Sequence, residues 1–89
     1  MQARVNPFAV APEIIQPLLD FSAKVNDTNL EFSLCELVKI RASQINRCAN
    51  CLHMHTADAR TAGASEARLY LLSAWRESRL YTPRERAAL

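Results

Sequence analysis

Residues 36–55 read ELVKIRASQINRCANCLHMH, and the reading of this stretch decides the fold. The spacing predicts a helix that starts near Phe32–Ser33 and runs to about Asn46, with an apolar stripe of Leu34, Leu37, Val38 and Ile45. Arg41 falls inside that stripe, either with its stem packed and its head in water or in an ion pair at a subunit interface. Glu36 lies on a different face, beside Ile40 and Ser43, where a carboxylate taken alone is expected to be solvated. Asn46-Arg47 breaks the period, and a second periodic run opens at or just before Cys48 and continues to Ala62. Two helices joined by a short polar break therefore carry Glu36, Cys48, Cys51 and His55.

Outward from this pair the chain stays helical in pattern. Before it, Pro12 opens a run in which Ile14, Ile15, Leu18, Leu19 and Val25 keep helical spacing, with Pro17 near enough to the start to be tolerated. Residues 1–10 read as an irregular arm, with Asn6-Pro7 as a turn signal, and Asn26 to Asn29 as a polar turn. Beyond the pair, Gly63 suits a helix end. Ser65 caps a further helix expected to reach Arg76–Ser78, with Leu69, Tyr70, Leu72 and Trp75 as its apolar surface. Thr82-Pro83-Arg84-Glu85 is a capping box, yet less than two turns follow it. That start signal suggests a longer chain truncated at its C-terminus, or a partner packed on the end.

Composition narrows the class. With one glycine and four prolines, turn signals are too sparse for a many-stranded β fold, so 89 residues read as one all-α domain, 1–89. The charge is +2 and the basic residues are scattered, which leaves no stripe for nucleic acid. No run of about 18 apolar residues is present to span a membrane. The N-terminus lacks the apolar region of a secretory signal. A cytoplasmic location is then expected by default, and three cysteines, an odd count, argue against a secreted disulfide framework. Cys35 reads as a small buried hydrophobe.

Cys48 and Cys51 form a C-x-x-C pair. At about 100° per residue, Cys48, Cys51, Leu52, His55 and Ala59 share one helix face, while His53 points away from it. A cysteine in the first helical turn meets free N–H groups and the positive end of the dipole, and both favour the thiolate. His55, one turn after Cys51, can accept its proton, and Glu36 on the preceding helix can orient the imidazole. A thiolate that attacks a peroxide becomes a sulfenic acid, which the other cysteine converts to a disulfide. Base access favours Cys51 as the attacking residue, while proximity to the free N–H groups gives Cys48 a claim.

Other chemistries fit less well. A closed zinc site needs four ligands, and here only Cys48, Cys51, His55 and Glu36 could supply them. Haem attachment requires His directly after the second cysteine, where Leu52 stands. A thioredoxin-like pair requires a preceding strand, and the residues before Cys48 have helical period. Two buried thiols with a core histidine need no base one turn away.

The spacing Glu36, Cys48-Ala49-Asn50-Cys51, His55 resembles the signature of the alkyl hydroperoxidase D (AhpD)-like proteins of the carboxymuconolactone decarboxylase superfamily. Asn6-Pro7-Phe8, the run Leu37 to Asn46, Met54-His55-Thr56, Asp58-Ala59-Arg60 and Trp75 to Ser78 extend the likeness over most of the chain. The resemblance implies an all-α helical bundle assembled as a homo-oligomer by packing or exchange of helices. It implies thiol peroxidase activity, with a hydroperoxide as substrate, a dithiol or thioredoxin-like electron donor, and no cofactor or metal. Carried over, Cys48 and Cys51 are the redox pair, His55 the base and Glu36 its partner. The decarboxylase branch lacks the cysteines, which disfavours lactone decarboxylation. Three departures stand out: Asn50 where the founding peroxidase has His, Arg47 where relatives commonly have Gly, and a chain that stops short of theirs. A thiol–disulfide oxidoreductase without peroxide turnover, or a redox-sensing or metal-binding module, are the alternatives.

Overall fold

The computed structural model describes residues 2–89. In order they form α1 (Pro7–Val10), α2 (Pro12–Asn26), α3 (Phe32–Asn46), α4 (Ala49–Thr61), α5 (Glu66–Tyr70), a 3₁₀ turn (Leu72–Ala74) and α6 (Pro83–Ala88), with no strand among the described residues. The all-helical expectation holds. The arm expected to be irregular contains the one-turn α1, because the Asn6 side chain accepts the Phe8 N–H at 3.1 Å and Pro7 stands in the first turn.

The α3–α4 hairpin is the centre of the molecule. Leu37 and Ile40 of α3 meet Ala59 of α4, and Leu69, Leu72, Trp75 and Tyr81 close the core from the C-terminal side. This orientation corrects the expected stripe of α3. Leu34 and Leu37 are buried, but Val38 and Ile45 are exposed, and Glu36, Ile40 and Ser43 turn inward instead. Two apolar rows run along α3, and the small Ala59 opposite lets the Leu37–Ile40 row pack closely. Glu36 is carried inward with that row and is only 2% exposed. A solvated carboxylate is therefore the wrong description of it. Arg41 is half-buried; its Nη1 donates to Gln44 at 3.2 Å, and its Nε has no hydrogen-bond partner among the described residues.

The helix expected from Ser65 to Arg76–Ser78 divides instead into α5 and the 3₁₀ turn. Leu69, Leu72 and Trp75 recur every three residues, and all three are buried. On an α-helix these three would spread over about 120°, and the 3₁₀ turn, at about 3.0 residues per turn, brings side chains three apart closer to one line. Tyr70, assigned to the same apolar surface, falls outside that period and is exposed.

α6 is short, and tertiary hydrogen bonds hold it. The Thr82 hydroxyl accepts the Glu85 N–H at 3.1 Å, and the Thr82 N–H donates to Glu85 Oε1 at 2.8 Å, completing the capping box. Arg86 donates to the carbonyls of Trp75, Arg76 and Ser78 at 2.9, 2.9 and 3.0 Å. Arg84 pairs with Glu31 at 2.9 Å across 53 residues of sequence. Arg68 pairs with the buried Glu85.

Burial disfavours the Glu85 anion, but the hydrogen bonds from Thr82 and Arg68 outweigh it and hold the carboxyl below its ordinary range. A depressed folded value means stability that is present above the unfolded value of 4.5 and is lost as pH falls through the folded one. Acid titration below that value is therefore expected to loosen α6. Trp75 reports it, because the Arg86 guanidinium of α6 lies 5.3 Å from its ring. The Glu85→Gln variant should lose this step in Trp75 fluorescence; an unchanged step would assign it to another carboxylate.

α2 follows its expected span, yet none of its residues is buried. Ile14 is 69% exposed and Phe21 66%, so its apolar face is bare in the single chain. No described helix is long and apolar enough to cross a membrane.

Candidate redox site

The site is built by the turn between α3 and α4. Arg47 ends α3 in the left-handed conformation, with φ 55°. That geometry costs a residue with a Cβ roughly 1–2 kcal/mol, which accounts for glycine suiting this position. The Cys48 N–H donates to the Ser43 carbonyl at 3.1 Å, folding the chain sharply back. Cys48 is the N-cap of α4, one step outside the first turn, where its Sγ accepts the Cys51 N–H at 3.2 Å. Cys48 and Cys51 are joined in a disulfide with 5.3 Å between their Cα atoms.

α4 presents the expected face. Cys51, Leu52 and His55 are half-buried and Ala59 is buried, while His53 is exposed. The reversal of the chain brings His55 against Glu36, and His55 Nδ1 lies 3.1 Å from Glu36 Oε2. A carboxylate accepts, so Nδ1 carries the hydrogen and Nε2 of the neutral ring is left as an acceptor. All four residues singled out from the sequence thus lie on the facing sides of one hairpin: the disulfide at its turn, the Glu36–His55 pair further along it.

Two charged groups beside the pair were not among the sequence candidates. Lys39 Nζ lies 3.5 Å from Glu36 Oε1 and donates to Asn26 Oδ1 at 3.2 Å. Asp58 places a carboxylate oxygen within 4.8 Å of ligand atoms of both Glu36 and His55. Each stands three residues after its neighbour in the pair, the helical offset that could have revealed it once Glu36 was known to face inward. Glu36, His55 and Asp58 are also the one set of three potential metal-ligand atoms among the described residues. They are two carboxylates and an imidazole, not the cysteine-containing set considered from sequence, and three donors fall short of a closed zinc site. Cysteines held as a disulfide offer no thiolate to a metal.

Cys35 is half-buried rather than buried. It lines an apolar groove of about 570 Å³ between the end of α2, the outer face of α3 and α6, with Val25, Leu34, Val38 and Ala87 among the walls. The outward turn of the Val38 face of α3 carried it there.

An all-helical fold with a C-x-x-C disulfide at a hairpin turn and a histidine–carboxylate pair beside it is the class defined so far. Comparison with known proteins specifies it further. Residues 12–89 match the carboxymuconolactone decarboxylase family, and the chain belongs to that family. It is 43% identical over 89 residues to an uncharacterized protein, YdfG, of Bacillus subtilis (strain 168), covering all of this chain and 60% of YdfG. It also matches the crystal structure of ATU0492 from Agrobacterium tumefaciens, a protein of unknown function described as a candidate antioxidant defence protein AhpD. The TM-score is 0.89 at 40% identity, covering 97% of this chain and 59% of that one. The chain thus spans about three fifths of the length of these relatives.

Proposed function

We propose that this protein is a thiol-dependent peroxidase of the AhpD type, acting in a reducing compartment such as the cytoplasm. The observation that carries this reading is the hydrogen bond between His55 and the buried Glu36, one turn along α4 from a closed Cys48–Cys51 disulfide. The likeness to a candidate antioxidant defence protein supports it.

In the reduced protein, His55 Nε2 takes the Cys51 proton while Glu36 holds the opposite side of the ring. The Cys51 thiolate attacks the terminal oxygen of a hydroperoxide, and the O–O bond breaks. Cys51 becomes a sulfenic acid, and the alcohol leaves with the proton held by His55. Cys48 sulfur then attacks Cys51 sulfur; the disulfide forms and water leaves. A dithiol donor, small or thioredoxin-like, returns the pair to two thiols and is itself oxidised to a disulfide. We assign the assembled form to a homo-oligomer, which the bare apolar face of α2 supports.

The test combines peroxide consumption in the presence of a dithiol with single cysteine variants. Wild type should turn over, Cys48→Ser should leave a trappable sulfenic acid at Cys51, and Cys51→Ser should react slowly. Fast sulfenic acid formation at Cys48 in the Cys51→Ser protein reverses the two roles. Disulfide exchange without peroxide loss points instead to an oxidoreductase, and stoichiometric zinc in the purified protein to a metal-binding module.

A further inference from the structure

We propose that Lys39 and Asp58 are a pair of opposed positioning residues that set the charge balance of the Glu36–His55 couple, and through it the pH at which the cysteine pair becomes reactive. This rests on the redox reading of the site and adds two residues to it.

The geometry is reciprocal. Glu36 has two carboxylate oxygens and almost no solvent. Oε2 faces His55 Nδ1 at 3.1 Å, and Oε1 faces the Lys39 ammonium at 3.5 Å. The Asn26 side chain at the end of α2 accepts a hydrogen bond from Lys39 at 3.2 Å and so adds a contact that favours this rotamer. On the other helix Asp58 stands one turn after His55, with an oxygen within 4.8 Å of both members of the couple. The charged groups beside the couple are therefore one cation from α3, Lys39, and one anion from α4, Asp58, while the neutral amide of Asn26 at the end of α2 meets the couple only through Lys39.

Neither residue touches the sulfurs in a recorded contact, so each acts through Glu36 and His55. In general a cation favours proton release from a neighbouring group, and an anion opposes it. Lys39 favours release of the thiol proton, and Asp58 opposes it. Lys39 also keeps the buried carboxylate paired when His55 is neutral, so the ring stays anchored through the cycle. Asn26 links this arrangement to α2, whose own apolar face is unpartnered.

The experiment is the pH dependence of alkylation in the fully reduced protein. Trypsin cleaves after Arg47 and Arg60, so the peptide 48–60 carries Cys48 and Cys51 without Cys35 and can be followed by mass spectrometry. Lys39→Met should move the acid limb of the reactivity profile upward by about half to one pH unit, slowing alkylation on that limb about three- to tenfold. Asp58→Asn should move it downward, and Lys39→Arg should restore the wild-type profile. Charge replacement with a purely structural effect would shift the thermal midpoint without moving the two profiles in opposite directions. Glu36→Gln is the control for the site itself. If Glu36→Gln alters the profile and neither Lys39→Met nor Asp58→Asn does, the proposal is overturned and the redox reading stands. The same holds if both move it one way or Lys39→Arg fails to restore it. If Glu36→Gln also leaves it unchanged, the redox reading fails and takes this proposal with it.

Discussion

Alanine in place of His55 is expected to slow peroxide oxidation of the reduced protein by about a hundredfold or more, the range of a lost general base. The expectation follows from the placement of the ring. Its Nδ1 side is taken by Glu36, which leaves Nε2 for the chemistry, and Cys51 stands one turn before it on the same face. His53→Ala is the internal comparison. His53 is exposed, lies on another face of α4, and has no side-chain partner among the described residues, so its loss should change the rate by less than about threefold, below half of one pH unit in thiolate terms. Stopped-flow loss of free thiol on addition of one equivalent of peroxide measures both. Equal effects of the two substitutions would remove His55 from the role of base.

The largest effect on folding is expected at Leu72. Its side chain is fully buried, at 0% exposure, in the cluster with Leu37, Ile40 and Trp75. Truncation to alanine removes three carbons from the middle of a small core and leaves a void that the 3₁₀ turn cannot collapse without disturbing Trp75. The cost should be about 2–5 kcal/mol. In a domain of this size each kcal/mol lowers the melting temperature by roughly 4–8 °C. Leu80→Ala, at a residue 41% exposed, should cost much less. Circular dichroism melts of the two variants check the ordering. Near-equal midpoints would mean that the C-terminal segment does not belong to the cooperative core.

Much of the site was legible before the structure because it depends on local spacing. Cys51 and His55 share a face on any helix, since four residues make slightly more than one turn. Cys48 had to lie at or near the start of α4, because Asn46-Arg47 breaks the preceding period. The partner helix was harder to orient. The stripe expected on α3 was Leu34, Leu37, Val38 and Ile45, whereas the buried row is Leu34, Leu37 and Ile40, so the two share their first members and part after Leu37. Periodicity can detect such rows but cannot say which one another helix covers. Continuing the stripe through Val38 and Ile45 instead of Ile40 left Glu36 in solvent, and it hid Lys39 and Asp58 as neighbours of the pair.

By itself the sequence determined the all-helical class, the spans of α2, α3 and α4, the capping box of α6 and the common face of Cys51 and His55. These are properties of backbone propensity, capping chemistry and a fixed angular step per residue, and none needs a partner. Only the tertiary structure decided that Glu36 is buried, that Lys39 and Asp58 flank the Glu36–His55 pair, that the helix expected from Ser65 divides into α5 and a 3₁₀ turn, and that a six-residue α6 is held in place. Each of these follows from which surface meets which. A carboxylate goes inside when a histidine and a lysine wait there to pair with it. Leu69, Leu72 and Trp75 all reach the same core, and the 3₁₀ turn aligns side chains three apart. A short terminal helix stays ordered when Arg68, Arg84 and Arg86 bond across the chain to hold it.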